Sequence, residues 1–103
     1  MKKKLIALLT LGLLCLSISA FAHTALLNCY LDGDKVICEG GFSDGSSAAG
    51  VKLIVRDGQK KILIDAKLDD QGTYEFQKPE GDYEVEFNAG PGHQVIVDGK
   101  DIE

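Results

Sequence analysis

Hydrophobic and polar residues alternate with period two through most of this chain, the spacing of half-buried strands and not of helices. Leu27, Cys29 and Leu31 share one face, as do Val36 and Cys38. Val51, Leu53 and Val55 alternate with Lys52 and Arg56. Ile62, Ile64, Ala66 and Leu68 alternate with Lys61, Asp65 and Lys67. Tyr74 and Phe76 flank Glu75, and Tyr83, Val85 and Phe87 alternate with Asp82, Glu84 and Glu86. Val95 and Val97 close the series. Turn-forming stretches separate these runs: Gly33-Asp34, residues 43–50, Asp57-Gly58, residues 69–72, Pro79-Glu80-Gly81 and Gly90-Pro91-Gly92. Seven short strands so spaced predict an all-β, immunoglobulin-like antiparallel sandwich. Residues 98–103 read as a polar tail with Ile102 tucked in, and the acidic face of Glu84 and Glu86 reads as solvated.

The first 22 residues break the pattern. Lys2, Lys3 and Lys4 precede an apolar run from Leu5 to Ile18, which ends in Ser19-Ala20-Phe21-Ala22. This is the layout of a helical, cleavable signal peptide with Ala20 and Ala22 at the positions the peptidase reads. The run is short for a membrane span. Cys15 is preceded by Leu14 rather than a small residue, so it reads as part of the run and not as a lipid-attachment site. The expected organisation is a signal peptide over residues 1–22 and one β-sandwich domain over residues 23–103, with no membrane span left after cleavage.

Cleavage alters the chemistry. Losing the three signal lysines takes the net charge from −5 to −8. An acidic surface argues against nucleic acid or an anionic membrane as partner and attracts cations. A short lysine-rich leader, together with the disulfide expected between Cys29 and Cys38, fits a bacterial periplasm.

Two cysteines remain, Cys29 and Cys38. A two-residue Gly33-Asp34 hairpin loop pairs Asp32 with Lys35 and, counting outward, Cys29 with Cys38. Direct opposition in a non-hydrogen-bonded pair suits a disulfide, and an exported domain permits one. A metal-binding cysteine pair is the competing reading, but the spacing is not C-x-x-C.

The middle of the chain resembles a known family. Asp69, Gly72, Tyr74 and Phe76 match a D-x-x-G-x-Y-x-F turn and strand, and Pro79, Gly81, Tyr83 and Val85 match a following P-x-G-x-Y-x-V. Together they resemble the carboxypeptidase regulatory-like domain over roughly residues 35–90, which implies a transthyretin-like, seven-stranded sandwich. Such domains serve as non-catalytic modules, so the resemblance speaks to fold more than to function.

The two histidines carry the candidate chemistry. His23 becomes the first residue after cleavage and offers an α-amine and an imidazole. His93 follows Gly90-Pro91-Gly92. A short exported sandwich with these two features resembles the small accessory component of nickel/cobalt transporters of the energy-coupling-factor class. That resemblance implies capture or handover of Ni(II) or Co(II) beside a membrane metal-uptake transporter. Amine and imidazole nitrogens suit Ni, Cu, Co and Zn rather than Ca or Mg, so Cu(II) stays open. Strand parity places His23, His93, Asp44, Asp69 and Asp70 at one end of the domain, which permits the histidines to meet. Asp69 and Asp70 are further candidate oxygen ligands, although turn formation accounts for them better. The competing function is a protein-interaction module in which His93 is simply an exposed loop residue. No Ser-His-Asp set is assignable, so no enzyme is expected.

Overall fold

The computed structural model describes residues 23–103. The expected signal peptide, its cleavage site and Cys15 lie outside the described residues.

Seven strands form where the alternation places them: β1 (Ala25–Asp32), β2 (Lys35–Phe42), β3 (Lys52–Asp57), β4 (Ile62–Lys67), β5 (Thr73–Gln77), β6 (Tyr83–Asn88) and β7 (Gln94–Asp98), followed by a 3-10 turn over Gly99–Asp101. They make two antiparallel sheets, one ordered β1-β2-β5 and the other β4-β3-β6-β7. The protein is an all-β sandwich.

The hairpin loop sets the register of the first sheet. Gly33 takes φ 63°, which a two-residue loop with glycine in its first central position requires. Asp32 then faces Lys35, and Cys29 faces Cys38. The two cysteines are free thiols in the structure rather than the expected bridge. They lie close enough for a hydrogen bond between their side chains, and this bond, with burial, pushes the Cys38 thiol up.

Period two sends one set of side chains inward from each sheet. Val36, Leu53, Val55, Val85 and Phe87 are fully buried. Leu27, Leu31, Tyr74, Val95 and Val97 pack on them from the margins. Each fully buried side chain of this size stabilises the fold by about 1.5–3 kcal/mol relative to exposure. Close packing of the layers needs a bare backbone at Gly40 on β2. A Cβ there would sit 2.6 Å from Phe87 Cε2 and 2.7 Å from Leu68 Cδ1. The tail closes the first sheet's outer edge: Ile102 is buried, and Leu31 N–H donates to the Glu103 oxygen at 3.0 Å.

Two local readings are corrected. Glu84 and Glu86 do not form a solvated acidic face. Arg56 reaches both carboxylates, Lys60 pairs with Glu84, and Glu86 is almost buried. Ile62 does not join Ile64 in the core either. The β3–β4 register shifts between Val55, which faces Ile64, and Arg56, which faces Ile62. Leu63 is the extra residue, and this bulge leaves Ile62 and Leu63 exposed.

Candidate functional site

The arithmetic of seven strands decides which loops share an end. Residue 23, the loop 43–50, the loop 69–72 and the loop 89–93 all lie at the end opposite the Gly33-Asp34 turn. Backbone bonds tie the group together. Thr24 O accepts from Ser43 N–H at 2.8 Å, Gly72 O from Gly40 N–H at 2.8 Å, and Leu68 O from Gly50 N–H at 2.9 Å. The last loop closes on itself, with Gly90 O accepting from His93 N–H at 2.9 Å and His93 O from Ala89 N–H at 3.0 Å.

His23 and His93, 70 positions apart in the chain, meet at this end. Their ring centroids are 5.4 Å apart with planes at 62°. Phe42, the last residue of β2, organises the pair. His23 stacks on it at 4.5 Å and 18°, His93 lies edge-on at 6.5 Å, and Phe42 itself meets core Phe87 at 5.7 Å. A column of aromatic rings thus runs from the core to the surface and ends in two imidazoles.

Each imidazole has one nitrogen already engaged. His93 Nδ1 lies 3.3 Å from Pro91 O. A carbonyl only accepts, so Nδ1 is the donor here, and in the neutral ring the lone pair is on Nε2. His23 Nδ1 lies 2.7 Å from Asp44 Oδ2. The other oxygen of that carboxylate accepts from Ser46 N–H at 3.0 Å and from Ser46 Oγ at 2.6 Å. These two donors, then His23, hold the Asp44 carboxyl well below the usual carboxylate range, so it is ionised. An ionised carboxylate cannot donate, which makes His23 Nδ1–H the donor.

The other acidic candidates are placed differently. Asp69 Oδ1 accepts from the backbone N–H groups of Gln71 and Thr73, both at 2.9 Å, and so shapes its own turn. Gly72 in that turn has φ 75°. Asp57 repeats the arrangement at the β3–β4 connection, accepting from Gln59 and Lys61. Asp70 is an exposed residue of the same turn. Asp44 is the acidic residue the site uses. Its signal in the sequence was the Asp-x-Ser spacing of an Asx turn at 44–46, which parity had already placed beside the histidines.

The donor set permits a cation without being a finished cage. Two imidazoles sharing one cation at ordinary nitrogen–metal distances hold their centroids at most roughly 6.4 Å apart, and the observed separation falls inside that span. Among the described residues, no group of three or more His, Cys, Asp or Glu side chains stands ready to hold a metal. A third nitrogen, the α-amine, is needed to complete a set.

No family model matches the chain. No solved structure matches it. Among curated proteins it is similar to "Nicotinic receptor-associated protein 4" of Caenorhabditis elegans, 40% identical over 77 residues, which cover 70% of this chain and 7% of that protein. The chain therefore spans a small fraction of the curated relative it matches. Among the described residues no helix is long and apolar enough to cross a membrane.

Proposed function

We propose that this protein is an exported, non-enzymatic accessory that captures Ni(II) or Co(II), or alternatively Cu(II), through His23 and His93 and hands it to a membrane uptake transporter. The observation that carries this reading is the 5.4 Å separation of two imidazoles that lie 70 positions apart in the sequence and share one end of the domain. Cleavage after Ala22 would free the His23 α-amine, whose ordinary pKa near 8 lets a cation displace its proton. Amine and Nδ1 of one histidine close a chelate ring, and His93 Nε2 adds a third nitrogen. A net charge of −8 on the mature chain would concentrate cations near it. An exposed three-nitrogen set keeps coordination positions open, as handover to a second protein requires.

Calorimetric titration of the protein beginning at His23 with NiCl2, CoCl2 and CuCl2 tests the reading. Binding is expected to fall at least tenfold in His93→Ala and when an alanine precedes His23. If the unaltered protein takes up none of the three ions, or binds them equally well with both changes, the reading is lost.

A second reading, a protein-interaction module, is favoured by apolar side chains left on the outer strands. Ile96 on β7 is 58% exposed and Ile62 on β4 is 51% exposed. Capture of a partner that survives His23→Ala with His93→Ala and is abolished by Ile62→Lys or Ile96→Lys would favour it.

A further inference from the structure

Asp44 occupies the position from which a cation would be met. A cation chelated by the α-amine and Nδ1 of His23 lies in the plane of the ring, along the direction of the Nδ1 lone pair. That direction now carries a proton and points at Asp44 Oδ2, 2.7 Å away. We propose that Asp44 is the oxygen donor of the His23–His93 cation site and takes the cation in exchange for the proton it now shares with His23. This rests on the metal-binding reading above.

Three observations carry the assignment. Oδ2 is the free arm of a carboxylate whose other oxygen is fixed by Ser46 N–H and Oγ. Ligating carboxylates are commonly oriented by such hydrogen bonds on the second oxygen. Asp44 also lies in the loop 43–50, with its side chain 44% exposed, so small adjustments meet no packed core. Nitrogen–metal and metal–oxygen distances of about 2.0–2.2 Å each require Nδ1 and Oδ2 to part by at most roughly 1.5 Å beyond their present separation. Finally, the alternatives are spent or remote in role: the Asp69 carboxylate holds its own turn.

The exchange balances simply. His23 Nδ1 gives up its proton to solvent, the α-ammonium gives up another, and the divalent ion takes their place between nitrogen and carboxylate. Asp44 changes partner and not charge. The site becomes three nitrogens and one oxygen. Such a set is harder than an all-nitrogen one and suits the borderline divalent ions better than Cu(I).

The test uses the protein beginning at His23, with NiCl2 and CuCl2 as probes. Affinity is measured by calorimetry, and the donor set is read from the Cu(II) electron paramagnetic resonance spectrum. Asp44→Asn keeps the shape and removes the charged oxygen. It is expected to weaken binding about tenfold to a hundredfold and to change the Cu(II) spectrum toward fewer oxygen donors. Ser46→Ala, which loosens the carboxylate without removing it, is expected to give a smaller loss with an unchanged spectrum. Asp69→Asn is expected to bind as the unaltered protein does, and thermal melting of each variant reports folding separately.

If Asp44→Asn binds equally or more tightly while His93→Ala fails, Asp44 is not a ligand and only this assignment falls. Failure of the unaltered protein to bind either ion removes the metal reading and this inference together.

Discussion

Arg56 Nη1 on β3 lies 2.9 Å from Glu86 Oε1 on the neighbouring strand β6. The same nitrogen is 3.6 Å from Glu84 Oε2, and Asn88 Nδ2 donates to the second oxygen of Glu86 at 3.0 Å. The Glu86 side chain is 12% exposed, so water replaces a lost partner poorly. Arg56→Ala should cost about 1–3 kcal/mol, less than a fully buried pair because the cluster keeps some access to solvent. Urea unfolding monitored by circular dichroism measures this, and a loss under about 0.5 kcal/mol would show the pair to be ornamental.

Gly40→Ala forces a methyl group against the Phe87 ring and the Leu68 side chain, at 2.6 and 2.7 Å. Overpacking of this kind costs about 1–3 kcal/mol. Gly41→Ala, one residue along, meets nothing within 4 Å and should stay within about 0.5 kcal/mol of the unaltered protein. Equal melting temperatures for the two variants would contradict the packing described for the layer between β2 and β6.

Cys29 and Cys38 oppose each other directly on β1 and β2. In the reduced state the Cys38 thiol, raised by its hydrogen bond to Cys29 and by burial, should alkylate far more slowly with iodoacetamide at pH 8 than after unfolding. Oxidation should join the pair, lower the mass by two hydrogens and add about 2–3 kcal/mol through the short closed loop. Coincident melting of the oxidised and reduced protein would refute the second expectation.

Two exposed carboxyls titrate below their ordinary range. Gln77 and its own backbone lower Asp34, and Ser46 and His23 lower Asp44. A carboxyl whose pKa is depressed on folding adds stability above its unfolded value, near 3.9, and loses it as pH falls toward the folded value. The melting temperature should therefore drop from pH 5 to pH 3. The fall should be smaller when Asp34→Asn and Asp44→Asn are combined. A melting temperature that holds steady or rises over that interval would count against both assignments.

Most of the fold was legible because each strand repeats the same simple signal. The β6 alternation Tyr83, Val85, Phe87 is inward in the structure, and the Gly33 turn fixes the cysteine register without any knowledge of the rest. Counting reversals put His23 and His93 at the same end and permitted their contact, which the structure shows. Three features were not readable. The bulge at Leu63 arises from how β4 meets β3 and not from its own alternation, which gives Ile62 the same phase as Ile64. The neutralising role of Arg56 depends on its position across from Glu84 and diagonal to Glu86, a register the sequence of β3 does not contain. Asp44 belongs to a stretch of small polar residues in which any carboxylate looks like a turn former. Its bond to His23 exists only because two loops converge.

At the start of β4, two residues stand where its neighbour offers one, so backbone donors and acceptors along its open side fall out of step there. A strand arriving from another molecule cannot keep one regular register across that point. Lys61 at one end and Lys67 at the other would also repel an identical edge. Both features work against strand addition where Ile62 and Leu63 lie bare.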